Sequence, residues 1–117
     1  MVNIDHHHDN TRYGHLNLVT PAASSCAEVL VHVLEAAALP ITADVAEPLY
    51  VGLITDTGRF CYSNTGPEAH RVAGLFIEAG VDPAELGRLL YEEQPPERLM
   101  LLGRAMQRAR LLCDGRL

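Results

Sequence analysis

The chain opens on a short alternation of apolar and polar positions. Val2-Asn3-Ile4 reads as a strand, and His15-Leu16-Asn17-Leu18-Val19 as a second with period two. Between them, Asp9 to Gly14 is polar and turn-like. Beyond Pro21 the apolar period lengthens to that of a helix. Ser25 and Glu28 have the spacing of a capping box, Val29 and Val33 lead into Ala36–Ala38, and Pro40 is expected to end the helix. A second helix is predicted from Thr42 toward Ile54, with Val45, Leu49 and Leu53 on one face and Gly52 marking close packing. Pro48 lies inside it and should kink or shorten it, since an interior proline costs about 3 kcal/mol. Residues 59–63 look extended. Thr65-Gly66-Pro67-Glu68 starts a third helix with Thr65 as its cap. Ala69, Val72, Ala73, Phe76 and Ile77 form its apolar stripe, and Gly80 stops it. Asp82-Pro83-Ala84-Glu85 opens a short helix that turns Leu86, Leu89 and Leu90 inward. After Pro95-Pro96 a last helix carries Leu99, Leu102, Met106 and Ala109, with Met100 and Met106 as core fillers. Arg104, Arg108 and Arg110 form its solvated face, and Cys113 to Arg116 reads as a turn.

Helices alternating with short strands imply an α/β plan with crossovers. A parallel sheet of two or three strands wants both faces covered. The expected fold is therefore helix-dominated α/β, part of a larger parallel-sheet domain. Two apolar elements deliver acids. Val2–Ile4 runs into Asp5-His6-His7-His8, and Gly52-Leu53-Ile54 into Thr55-Asp56-Thr57-Gly58. The carboxyl edge of an α/β sheet is where ligands bind, and mixed oxygen and nitrogen donors suit manganese, iron(II), cobalt or zinc. Adjacent residues on an extended stretch point apart, so Asp5, His6 and His7 cannot all hold one ion. One histidine is expected on a metal and the next on a substrate oxygen, with Asp5 orienting a ring. Each segment alone also fits a polar turn that only shapes the backbone. Together they suggest one metal site assembled from distant parts of the chain.

Composition narrows the field. The 117 residues suffice for one small domain, and its core must be aliphatic, with no Trp, two Phe and four Tyr. Nine bases against fifteen acids give a net charge of −6, which excludes a nucleic-acid binder working through a basic surface alone. A phosphate-bearing substrate stays open, because bound divalent ions invert the charge of a small site. Cys26, Cys61 and Cys113 are odd in number and widely spaced, as in reduced thiols. With no apolar run of transmembrane length, a cytoplasmic protein without membrane partners is expected.

Asp5-His6-His7 with Asn10, then Ser24-Ser25-Cys26-Ala27-Glu28, then Gly52 to Phe60, resembles the DHH family of phosphoesterases. The branch it looks most like holds the oligoribonucleases and phosphoadenosine-phosphate phosphatases. Ser63-Asn64-Thr65 and Ala79-Gly80-Val81-Asp82-Pro83 carry the resemblance essentially end to end. It implies a site for two Mn2+ ions, with Mg2+ or Co2+ as substitutes. His6 matches the ligand of the family's third motif and Asp56 that of the fourth. His7 matches the histidine that contacts the scissile phosphate, and Asp5 the acid that orients it. Asn10 and Arg59 are added as substrate contacts. The implied reaction is hydrolysis of short oligonucleotides, linear or cyclic dinucleotides or nucleotide 3′-phosphates. Alternatives are a manganese-dependent inorganic pyrophosphatase and a noncatalytic metal-binding remnant or interaction module. The full-length form is expected to be a homodimer.

The sequence departs from the family pattern at His8 and Pro48. The first two metal motifs are expected upstream of Val2, and a carboxyl-terminal substrate domain after residue 112. Residues 1–112 are thus expected to form a partial catalytic domain, residues 113–117 the start of a linker or of that further domain, and the isolated chain is expected to be inactive.

Overall fold

A computed structural model of the chain describes residues 1–110. Two compact units divide it after Pro83. In the first, β1 (Val2–Asp5) and β2 (Leu16–Val19) pair in parallel, Val2 opposite Leu16 and Asp5 opposite Val19. They are followed by α1 (Cys26–Ala36), α2 (Ala43–Asp56) and α3 (Pro67–Glu78). Parallel neighbours usually need a helical crossover of a dozen or more residues. Here residues 6–15 make the crossover without a helix, and they include the histidine run. Gly14 permits it. A Cβ there would lie 2.7 Å from the Leu16 carbonyl oxygen and 3.0 Å from the Asn3 backbone nitrogen.

The three helices share an aliphatic core. Val29 and Val31 from α1 meet Ala46, Tyr50, Leu53 and Ile54 from α2 and Ala69, Val72, Ala73 and Phe76 from α3. The Tyr50 ring stands edge-on to Phe76, centroids 6.4 Å apart. α1 starts on the predicted capping box. Ser25 Oγ accepts from the Glu28 backbone N–H, and the buried Glu28 carboxylate accepts from the backbone N–H and hydroxyl of Ser24.

Several expectations are corrected. α1 ends before Pro40, in a Schellman turn with Ala38 left-handed at φ 52° and Leu39 N–H donating to the Leu34 carbonyl. α2 neither ends nor restarts at Pro48; Pro48 and Asp44, whose carbonyl loses its donor, are both exposed to water. Of the face expected from Val45, Leu49 and Leu53, Leu53 is buried, with Ala46, Tyr50 and Ile54 beside it, whereas Val45 is exposed and Leu49 only partly covered. Residues 59–63 are not extended. Gly58, Arg59 and Phe60 are all left-handed, and Cys61 and Tyr62 N–H groups return to the Thr57 carbonyl. This segment pairs with no strand among the described residues, and the Thr57 hydroxyl accepts from Phe60 N–H. Gly66, not Thr65, caps α3, and the buried Thr65 hydroxyl has no hydrogen-bond partner among the described residues. Ile77 falls off the buried stripe, half exposed.

The second unit continues α4 (Pro83–Gly87) into a π-helical turn over Arg88–Glu92, then α5 (Pro96–Arg108). Leu89 is exposed, and no residue of α5 is buried, so Met100 and Met106 are surface rather than core residues. The turn expected at Cys113 to Arg116 and the boundary expected at residue 113 lie outside the described residues. No helix among the described residues is long and apolar enough to cross a membrane.

Candidate functional site

The site begins where β1 ends. Asp5, its last residue, gathers the turn that follows. Its Oδ1 accepts from the backbone N–H of His6 at 2.7 Å, the backbone N–H of His7 at 3.2 Å and the His7 ring Nδ1 at 2.7 Å. Its other oxygen takes the Asn10 amide. The His7 hydrogen bond first, and that from Asn10 next, hold the Asp5 carboxyl well below the usual carboxylate range. In return Asp5 raises the affinity of His7 for a proton. The His7 ring is exposed, with Nδ1 committed to Asp5 and Nε2 available to a ligand.

Asn10 stands on a row of amides. Its oxygen accepts from Asn3 Nδ2 at 2.8 Å and from Arg12 N–H at 2.7 Å. Asn3, buried in β1, also donates to Asn17 of β2 at 3.0 Å, and Asn17 holds both backbone groups of Gly14. Asn3 and Asn17 are register partners, so the strand pairing itself aligns the row. Asn10, expected as a substrate contact, is thus engaged within the turn that fixes Asp5.

His6 faces the other way. Its Nδ1 lies 3.2 Å from the Ala23 carbonyl oxygen, which can only accept, so Nδ1 carries the proton and Nε2 offers a lone pair. That Nε2 lies 3.4 Å from Asp56 Oδ2. Two electron-pair donors converge there, one from the turn after β1 and one from the last residue of α2. Metal-ligating histidines characteristically give their second N–H to a carbonyl or carboxylate. Bonds of about 2.1 Å reach both donors from one ion. The residues therefore fit the cation that the donor set implies. Asp5 and Cys26 offer donor atoms that, with one from His6, lie within 4.8 Å of one another. Asp5, however, is already committed to four donors within its own turn, so His6 and Asp56 are the better pair.

Asp56 is the last residue of α2, not part of a free loop. Thr57 caps the helix, Gly58 is left-handed at φ 54°, and Arg59 N–H returns to the Ile54 carbonyl. The buried Thr57 hydroxyl donates to the Leu53 carbonyl at 2.7 Å. Arg59 is exposed on this turn, beside the Phe60 ring that stacks on His70.

Two residues near the site escaped the reading of the sequence as single side chains. Cys26, the first residue of α1, has its Sγ 3.7 Å from Asp5 Oδ1, and burial pushes its thiol pKa up. Asn64 donates to the backbone carbonyls of Ser24 and Asp56. Asn3 and Asn17 were visible as polar residues at alternating strand positions, the one signal that could have marked a buried amide row. His15 and His32 have structural partners, the amino terminus and Glu68.

Known proteins are similar to the chain in sequence and in fold. The bifunctional oligoribonuclease and PAP phosphatase NrnA of Thermus thermophilus is 38% identical over 107 residues, which is 91% of the chain and 32% of that relative. The Bacillus subtilis protein of the same name is 35% identical over 95 residues, 79% of the chain and 30% of its own length. An exopolyphosphatase-related protein from Bacteroides fragilis superposes with a TM-score of 0.83 and 25% identity, over 97% of the chain and 34% of its own. The chain thus spans about a third of the length of the relatives it matches. No protein-family profile matches it.

Proposed function

Taking as premise that the chain belongs, over the segment it shares with these relatives, to the DHH family of phosphoesterases, we propose that it supplies metal-binding and phosphate-contacting groups for hydrolysis of short oligonucleotides, linear or cyclic dinucleotides or nucleotide 3′-phosphates. The observation that carries this reading is the approach of His6 Nε2 to Asp56 Oδ2, 3.4 Å, on a ring tied to the Ala23 carbonyl. His6 and Asp56 are the proposed Mn2+ ligands. A divalent ion held there would activate water and offset charge building on the phosphate.

The chain's own groups have separable tasks. His7, its ring aligned by Asp5, presents Nε2 outward to a phosphate oxygen. Asp5 keeps Nδ1 as the donor, so Nε2 is the atom that exchanges a proton with substrate. Asn10 holds Asp5, and Arg59 adds positive charge on the turn after Asp56. A second reading, attack on a phosphoanhydride as in pyrophosphate, draws on the exopolyphosphatase-related neighbour.

A chimera tests both. The 107 matched residues of the Thermus relative are replaced by those of this chain. With Mn2+ the chimera should cleave a dinucleotide and release phosphate from a nucleotide 3′-phosphate. His6→Ala should weaken Mn2+ binding, and His7→Ala should lower turnover by about 100-fold, the lower end of acid–base contributions, with binding kept. A folded chimera that splits pyrophosphate but no nucleotide selects the second reading. One that binds Mn2+ and splits neither sinks both and leaves a noncatalytic binding module.

A further inference from the structure

We infer that Asn64 is the positioning residue that sets the gap between His6 and Asp56. This rests on the reading of that pair as metal ligands. The argument is a closed circuit of contacts. His6 Nδ1 is held by the Ala23 carbonyl at 3.2 Å. The next residue, Ser24, is fixed by Glu28, through its backbone N–H at 3.1 Å and its hydroxyl at 2.5 Å. The Ser24 carbonyl accepts from Asn64 Nδ2 at 2.8 Å, and the same amide nitrogen donates to the Asp56 carbonyl at 3.1 Å. Asp56 Oδ2 then faces His6 Nε2 at 3.4 Å.

The His6–Ala23 contact ties the end of β1 to the turn before α1, and the Ser24–Glu28 contacts fix that turn on α1. Asn64 joins the turn before α1, which anchors His6, to the end of α2, which carries Asp56. The Asp56 carbonyl is one of the four at a helix carboxyl end that have no intrahelical partner. Asn64 gives it one and at the same time fixes where the helix end sits. A carboxamide suits the task, because one nitrogen offers two hydrogens to two carbonyls. Aspartate has nearly the same shape and would present an oxygen to both.

The experiment uses the 117-residue chain with Asn64→Asp, the milder Asn64→Ser, and Thr65→Val as a neighbouring control that has no hydrogen bond to lose. Mn2+ affinity is read from the free-ion electron paramagnetic resonance signal. Metal-free, in chelator, the 15N resonances of the His6 ring are recorded with and without Asp56→Asn at fixed pH. Asn64→Asp should weaken Mn2+ binding tenfold or more, the range for groups that orient ligands, and Asn64→Ser less. In metal-free wild type, Asp56→Asn should move the His6 resonances, and in the Asn64→Asp background that response should vanish. Thr65→Val should leave both readouts unchanged. If the response persists and affinity is unaltered in both Asn64 variants, the inference is overturned. If the wild type binds no Mn2+ yet the response is lost in the variants, the positioning role stands and the metal reading fails. Asn64→Ser keeps the test open should Asn64→Asp fail to fold.

Discussion

At the residue scale, space around a Cα separates glycines that composition treats alike. A methyl at Gly14 would meet backbone atoms at 2.7 Å and 3.0 Å, which cannot move without opening the strand pair. A methyl at Gly52 would meet only the Ala27 Cβ at 3.7 Å, an ordinary contact. Gly52→Ala should therefore stabilise the chain by about 0.5–1 kcal/mol, the helix-interior difference between the two residues. Gly14→Ala should destabilise it by about 1–3 kcal/mol, as overpacking does. Urea unfolding of both checks the signs, and equal effects would contradict the packing described. The same scale shows why part of the site was legible. Asp5, His6, His7 and Asp56 stand out by residue type after apolar runs. Asn64 and Cys26 do not, because their roles lie in contacts across 8, 40 and 21 positions that no local pattern encodes.

At the element scale, α1, α2 and α3 end in the same way, with the sixth residue of the turn bonding back to the first. At the left-handed position α2 has Gly58 and α3 has Gly80, while α1 has Ala38 at φ 52°. A side chain there costs about 1–2 kcal/mol, and the greater freedom of unfolded glycine offsets about 0.5–1 kcal/mol of the relief. Ala38→Gly should thus stabilise the chain by roughly 0.5–1 kcal/mol, measured in the same unfolding assay; destabilisation would mean that Ala38 makes a packing contact that outweighs the strain. The helices were legible because caps, prolines and apolar stripes agree. Residues 59–63 were not, since strand propensity is expressed only where a partner strand exists. The end of α1 carries no glycine to mark it: Ala38 takes the left-handed position, and Leu39 N–H closes the turn on the Leu34 carbonyl.

At the scale of the whole first unit, Arg71 of α3 reaches Glu68 in its own helix and Glu35 of α1, with His32 beside Glu68. The guanidinium lowers both carboxyl pKa values from the ordinary 4.5. A carboxylate whose folded value is depressed adds stability above its unfolded value, and that stability is lost as pH falls through the folded value. Arg71→Met should lower the melting temperature at pH 7, and the deficit should shrink as the pH drops below 4.5. A deficit constant from pH 7 to 3 would trace the effect to lost packing instead. The partners are about two-fifths exposed, so salt should narrow the difference as well. The two-stranded sheet bears on something further. β1 pairs with β2 alone among the described residues, yet it delivers His6 and His7. Amide protons of Val2–Asp5 should then exchange with solvent deuterium far sooner than those of α1 and α3, which lie over the core. Any ion seated between His6 and Asp56 would have to hold that strand closed, so part of its affinity goes into local ordering, and the slowing of exchange in β1 on adding the ion measures that part directly.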